Sequence, residues 1–191
     1  MKNLTTNVTN GLAWAGGALM LLCAILVSLD VLTRKLLGST FFESFELSTY
    51  AFAIMVSFGC AYALMTKAHI RIEVLYRLLP GLLQRILDIV SVLGLLICAV
   101  VLFWFAWVTF ADSWVLGAKS NSPLGVPLVI PQGIWMVGFA WFAISCAVLF
   151  VLSLVNFVKG RHDKVEADVG IVTLEEEIDA STADHPIGEA R

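Results

Sequence analysis

The chain has 191 residues, of which 59% are hydrophobic and only 14% are charged, and its formal net charge is -3 at pH 7. Soluble domains carry about 25% charged residues, so this composition excludes a water-soluble globular protein and predicts one that a lipid bilayer surrounds. Nine of the 15 acidic residues lie in the carboxyl-terminal tail at 163–189, so the negative charge does not belong to the membrane body.

Four apolar stretches are long enough to cross a membrane. Crossing about 30 Å of hydrocarbon at about 1.5 Å per residue takes about 20 mostly apolar residues. The qualifying stretches are residues 11–29, 47–66, 89–111 and 132–158. The sequence therefore predicts an all-α integral membrane protein, with a short amino terminus at 1–10, four transmembrane helices within 11–158, and a tail at 159–191.

The basic residues predict the orientation of these spans. Leaving out the distant Arg191, the amino terminus, the loop between spans two and three, and the segment after span four together carry eight Lys and Arg, against three in the two other loops. Basic residues are retained on the cytoplasmic side. Both termini are therefore expected in the cytoplasm, and in a bacterial cell this membrane is the inner one.

Small residues recur at four-residue spacing in the first two spans. Ala13 is followed by Gly17, and Gly59 by Ala63. Such pairs let membrane helices approach closely, either within this chain or against another one.

Charged residues cluster where span one ends and span two begins. Asp30 and Arg34 are four residues apart, and Glu43 and Glu46 are one helical turn apart. A carboxylate at a span centre costs about 2.5–3.5 kcal/mol, which places Glu46 at the membrane edge. Arg34 is a candidate partner for Glu46, in an ion pair that holds two helix ends together. A cation or docking site is the alternative.

The loop between spans two and three is amphipathic. Its apolar residues fall on one helical face, and Glu73 and Arg77 are spaced to pair on another; the apolar residues are Val74, Leu75, Leu78 and Leu79. We expect a short amphipathic helix that lies along the inner membrane surface.

Two further groups flank this surface helix. His69 and Arg71, beside Lys67, are typical of a face that binds lipid headgroups, and a pH sensor or phosphate site is the alternative. Asp88 follows Arg85 by three residues near the start of span three. A snorkelling ion pair at the interface is the simpler interpretation of that pair, and a proton relay is the alternative.

The connection between spans three and four is rich in proline and is preceded by tryptophan. Pro123, Pro127 and Pro131 forbid a regular helix there, so we expect an ordered loop or an extended hairpin. Trp104, Trp107 and Trp114 recur at helical spacing near the outer end of span three, which favours a lipid-facing belt over a ligand-stacking role.

The remaining segments carry no pattern typical of catalysis. From residue 162 onward the chain is polar, acidic and poor in aromatic residues, which predicts a disordered tail. The sequence holds no metal-ligand cluster, no phosphate-binding glycine loop and no nucleophile placed beside a histidine. We therefore expect neither enzymatic activity nor a cofactor, with membrane lipids rather than nucleic acid as a partner.

Two other kinds of membrane protein remain open as alternatives. A small self-sufficient transporter or channel would need an ionisable residue deep in a span, which the sequence does not supply. A four-helix accessory subunit of another complex, such as a haem-binding anchor, would need histidines inside the spans. The three histidines all lie outside them, at 69, 162 and 185.

Several short motifs occur in a recognisable order on this four-span plan. They are Asp-Val-Leu-Thr-Arg at 30–34, the acidic start of span two at 43–46, Gly-Cys-Ala-Tyr-Ala-Leu at 59–64, His-Ile-Arg-Ile-Glu at 69–73, Ser-Pro-Leu-Gly-Val-Pro at 122–127 and Ile-Pro-Gln at 130–132. Over residues 10–158 the chain resembles the small membrane subunit, the DctQ type, of tripartite ATP-independent periplasmic (TRAP) transporters. It departs from the family in having Phe41 and Phe42 where a Pro-Trp pair is frequent.

The resemblance implies a role and two protein partners. Such a subunit braces a large multi-span permease subunit and helps dock a periplasmic substrate-binding protein, in sodium-driven uptake (symport) of an organic acid. The resemblance leads us to assign Arg34, Glu43 and Glu46 to fastening the outer helix ends. It likewise assigns His69, Arg71 and Glu73 to fixing the inner surface helix.

Overall fold

Four long helices make up the described part of the protein. The computed structural model describes residues 2–38, 44–66, 80–122 and 124–159. The helices are α1 at Lys2–Leu37, α2 at Ser44–Met65, α3 at Gly81–Leu116 and α4 at Val129–Val158. Each is long and apolar enough to cross a membrane. The predicted all-α fold with four transmembrane helices is therefore confirmed.

Two helices, α1 and α3, extend well past the predicted spans, and α4 begins three residues before its predicted start. α1 and α3 have 36 residues each and α4 has 30, whereas α2 has 22. At about 1.5 Å per residue, α1 is about 54 Å long, against a hydrocarbon layer of about 30 Å. The apolar runs alone define the predicted spans, whereas backbone hydrogen bonding continues through the polar turns that flank them. The predicted surface helix and acidic tail lie outside the described residues.

The four helices pack in series. α1 packs on α2, α2 on α4, and α4 on α3. One core cluster joins the inner pair to α3 and contains Ala61, Leu64, Ala99, Phe142 and Cys146. Because α2 and α4 each contact two neighbours, α1 and α3 expose most of their surface.

Glycines at two of these contacts allow close approach between helices. A Cβ atom at Gly138 of α4 would overlap Ser57 of α2 and lie 2.7 Å from the Phe58 ring. A Cβ atom at Gly16 of α1 would lie 3.3 Å from the Cα atom of Met55. Gly17 and Gly59, the glycines of the predicted small-residue pairs, have no such neighbour within 4 Å. Among the described residues, neither position therefore lies at a close contact between helices.

A hydrogen bond also ties α1 to α4. Trp141 donates its indole N–H to the Oγ1 atom of Thr9 at 3.0 Å, and Thr9 is fully buried. The amino-terminal turns of α1 are thereby fastened to a helix that α1 otherwise barely contacts.

Pro131 lies where the sequence analysis did not expect it. The prolines were predicted to keep the connection before span four out of a helix, but α4 begins at Val129 and contains Pro131 in its first turn. Backbone N–H groups in the first turn have no partner within the helix, so a proline there costs no hydrogen bond.

Candidate functional site

The end of α1, the start of α2 and the loop from α3 to α4 meet at one end of the bundle. α1 ends and α2 begins at this end, and the loop from α3 to α4 closes over it. The Oγ atom of Ser122, in that loop, donates a hydrogen bond to the Glu46 carboxylate at the start of α2. Two polar clusters hold this end together, one around Asp30 and one around Glu46.

Asp30 is the centre of the first cluster. Its side chain is 0% exposed, and its Oδ2 atom accepts hydrogen bonds from the Arg34 guanidinium and from the Ser44 hydroxyl, each at 2.8 Å. Ser44 is the first residue of α2. The carboxylate of α1 thus fixes the beginning of α2, with Arg34 supplying the opposite charge.

Glu46 is the centre of the second cluster, and its partners differ from the prediction. Arg34 was a candidate partner for Glu46, but the guanidinium bonds to Asp30 one turn away on its own helix. Glu46 instead accepts hydrogen bonds from the hydroxyls of Tyr50 and Ser122. The physical reason is helical geometry: Glu46 lies two positions after Ser44, which is about 200° around the helix. With Ser44 facing α1, Glu46 faces the loop before α4.

That loop is a short hairpin with defined hydrogen bonds. Lys119 and Pro127 form an isolated antiparallel bridge, flanked by bonds from the Ser120 amide to the Val126 carbonyl at 2.9 Å and from the Leu128 amide to the Ala118 carbonyl at 3.0 Å. The structure confirms the extended hairpin that was one of two predicted forms.

Left-handed glycines and serine hydroxyls shape the two ends of the hairpin. Gly117, with φ of 57°, ends α3, and Gly125, with φ of 55°, turns the tip; both conformations favour glycine because a Cβ atom is disfavoured there. The Ser122 hydroxyl accepts from the Leu124 amide at 3.2 Å while it bonds Glu46. The tip of the hairpin is therefore fixed to the start of α2.

A shallow cleft lies between α2 and the hairpin. Its volume is about 360 Å³, and its lining includes one carboxylate, one ammonium group, hydroxyls and apolar side chains. The lining residues include Phe45, Glu46, Tyr50, Lys119, Ser122 and Leu128. Phe45 is 84% exposed. A surface with both charges and an exposed aromatic ring is suited to contact with a protein loop.

The structure describes five of the eleven residues selected from the sequence. Asp30, Arg34, Glu46, Pro127 and Pro131 all lie at the end of the bundle where the hairpin meets the start of α2. Six lie outside the described residues: Glu43, His69, Arg71, Glu73, Arg77 and Pro123.

Sequence reasoning missed the hydroxyl donors of both clusters. Tyr50 follows Glu46 by one helical turn, so its hydrogen bond could have been found from spacing. Ser44 and Ser122 carried no such signal, because their partners come from other segments of the chain.

Within the described ranges, no three His, Cys, Asp or Glu side chains are grouped so that they could hold a metal ion. Comparison with known families matches residues 23–156 to the DctQ component of the tripartite ATP-independent periplasmic transporters. No curated protein matches the chain. The family match covers most of the membrane body and confirms the resemblance that the motifs indicated.

Proposed function

Because the chain belongs to the DctQ family, and so is the small permease subunit of a TRAP transporter, we propose that it braces the large permease subunit and helps dock the periplasmic substrate-binding protein. The family is one of transporter components rather than of enzymes. We further propose that the chain performs no catalysis and that the complex takes up an organic acid with sodium.

The distribution of charge supports a bracing role. The 20 residues between Glu46 and Lys67, which include nearly all of α2, contain no charged side chain. Coupled transport through a span requires ionisable or polar groups inside the membrane. In this chain Asp30, Arg34 and Glu46 lie at the outer end, where they fix helix ends and the hairpin to one another. Such a body is suited to supporting a moving partner.

The cleft at the outer end supports the docking role. A periplasmic protein is water-soluble and contacts a membrane complex only above the hydrocarbon. The cleft presents the exposed Phe45 ring beside the opposite charges of Glu46 and Lys119. Paired charges around an apolar contact favour a specific orientation of the partner over non-specific adsorption.

The proposal includes an orientation of the chain in the membrane. We place the protein in the bacterial inner membrane with both termini in the cytoplasm, because the segments assigned to the inner side carry eight Lys and Arg, not counting the distant Arg191, and the others carry three. A single cysteine introduced at Asn121 should then be labelled by a membrane-impermeant maleimide in intact spheroplasts, whereas one introduced at Lys159 should be labelled only after lysis. Labelling in the opposite sense would contradict the orientation.

A reconstitution experiment tests the function. The chain, its large permease subunit and the binding protein are combined in liposomes with an inward sodium gradient, and organic acid uptake is measured. We expect uptake only when all three proteins are present. Accumulation by this chain alone would indicate a self-sufficient transporter. If the chain instead co-purified from its own host with a membrane complex that lacks any TRAP permease, it would be an accessory subunit of that complex.

A further inference from the structure

One exposed side of α1 carries an unbroken apolar seam. Its members alternate at three- and four-residue spacing, which is the spacing at which two helices pack side by side. They are Val8, Gly11, Ala15, Ala18, Leu22, Ile25, Leu29, Leu32 and Leu36, and all nine are exposed. The side of α1 that packs on α2 is different, with buried residues every seven positions at Thr9, Gly16, Cys23 and Asp30.

α2 provides a reference for the depth of this seam in the membrane. Its charge-free stretch from 47 to 66 has a length of about 30 Å, which equals the hydrocarbon thickness. Gly16 lies against Met55, and Asp30 is bonded to Ser44. These two contacts align the antiparallel helices, so the outer hydrocarbon edge at Glu46 falls near residue 27 of α1.

The outer third of the seam therefore lies beyond the hydrocarbon. Leu36 is nine residues past position 27, which is about 14 Å along the helix. Leu32 and Leu36, five and nine residues past that position, are nevertheless 52% and 71% exposed. Lipid tails do not reach this level, and a row of apolar side chains left in water marks a site of protein contact.

The inner part of the seam supports the same conclusion by a different route. Gly11, Ala15 and Ala18 are small, and small residues allow a neighbouring membrane helix to approach closely. The exposed face of α3 is different, because it presents Trp104, Trp107 and Trp114. Bulky aromatic side chains near the membrane edge are typical of contact with lipid.

We propose that the seam of α1 is the surface on which a long helix of the large permease subunit packs, from the inner leaflet to above the outer membrane edge. This assignment rests on the function proposed above. From Val8 to Leu36 the seam is about 42 Å long. A single helix contact of about 10 Å width buries about 400 Å² on each side, less than the roughly 1,200 Å² in total that a stable interface requires. A multi-span partner can supply the remaining area through its other helices. A second copy of this chain, packed along this seam alone, supplies no further area.

Matched glycine substitutions test the seam. Gly11 on α1 and Gly94 on α3 are both exposed helical residues with no atom within 4 Å of an added Cβ, so leucine at either position leaves the isolated fold intact. The tagged full-length chain is produced in its own host and purified in mild detergent, and the TRAP permease that co-purifies is quantified by mass spectrometry. Gly11→Leu should reduce permease recovery by about tenfold or more, equivalent to about 1.4 kcal/mol, whereas Gly94→Leu should leave it unchanged.

Photo-crosslinking identifies the occupant directly. A photoreactive amino acid replaces Leu32 on the seam or, as the control, Val115, which is 82% exposed at the outer end of α3. Leu32 should yield an adduct with the permease, and Val115 should not. An adduct between two copies of this chain at Leu32, or equal permease recovery with both glycine variants, would overturn the assignment. Absence of any permease with the unmodified chain would instead refute the proposed function.

Discussion

Ser122 and Glu46 are hydrogen-bonded across 76 residues of sequence, and this contact joins the α3–α4 hairpin to the start of α2. The hydroxyl of Ser122 also accepts the Leu124 amide, so one side chain connects the hairpin tip to the helix. The hairpin and the start of α2, which are separate in sequence, are thereby joined at one end of the bundle.

Removing the acceptor at position 46 should release the hairpin. In Glu46→Ala, the Ser122 hydroxyl loses its partner on α2, and amide hydrogen exchange across residues 117–128 should become faster. Glu46→Gln retains a carbonyl oxygen that accepts a hydrogen bond and should have a smaller effect. Thr49→Ala is the matched control, because the Thr49 hydroxyl bonds only within its own helix, at 3.0 Å to the Phe45 carbonyl. Unchanged exchange in Glu46→Ala would show that the bond does not order the hairpin.

The charge of Arg34 should be coupled to Asp30 and not to Glu46. Arg34→Gln removes the cation bonded to the inaccessible Asp30 carboxylate, at an expected cost of about 1–3 kcal/mol in the free energy of unfolding. Adding Asp30→Asn removes the charge that Arg34 balanced and should recover much of that loss. Adding Glu46→Gln should recover nothing. Thermal unfolding of the purified variants in detergent measures each effect. Recovery of stability on adding Glu46→Gln would instead support the Arg34–Glu46 pair first expected from the sequence.

The sequence predicted the helices but not the contacts between them, and the reason is physical. Burial in hydrocarbon requires about 20 consecutive apolar residues with satisfied backbone groups, so the four spans are encoded locally. Whether Arg34 turns to Asp30 or to Glu46 depends on the rotation of α1 and α2 about their axes. That rotation is set by packing, for example at Gly16, which lies against α2. Residue spacing alone does not show that Gly16, rather than Gly17, makes this contact.

Helix ends were predicted less well than helix centres for a related reason. Hydropathy marks where the lipid begins, whereas a helix ends where its backbone bonds are capped. α3 continues to Leu116 and ends at the left-handed Gly117, with the Ala118 amide bonded to the Ser113 carbonyl at 3.0 Å. The apolar run ends at residue 111, but the helix continues past it through Asp112.

Close packing at Gly138 should make that position intolerant of a side chain. A Cβ atom there overlaps Ser57 and Phe58 across the α2–α4 contact, so Gly138→Ala should force the central helices apart and cost about 1–3 kcal/mol. Gly59→Ala is the control, because an added Cβ at that position meets no atom within 4 Å. It should be neutral or stabilising by up to about 1 kcal/mol, since alanine favours the helix. Equal unfolding temperatures for the two variants would contradict the close approach.

The hydrogen bond from Trp141 to Thr9 should appear as a coupling energy between α1 and α4. Hydrogen bonds between membrane helices contribute about 0.6 kcal/mol on average and about 1.7 at most, because the unfolded chain in a membrane also finds partners. Trp141→Phe removes the donor and Thr9→Val removes the acceptor. The double variant should therefore lose less free energy of unfolding than the two single variants lose in sum, and the difference should be between about 0.6 and 1.7 kcal/mol.

Thr109→Val provides the control cycle, since the Thr109 hydroxyl bonds to the Phe105 carbonyl of its own helix at 2.8 Å. Its effect should simply add to that of Trp141→Phe. If Thr9 and Trp141 also proved additive, the amino-terminal turns of α1 would be held by α2 alone. The polar beginning of that helix would then be free to move independently of α4, and truncation of residues 1–8 would leave stability unchanged. With the bond present, the same truncation removes the turn that positions Thr9 and should lower the unfolding temperature.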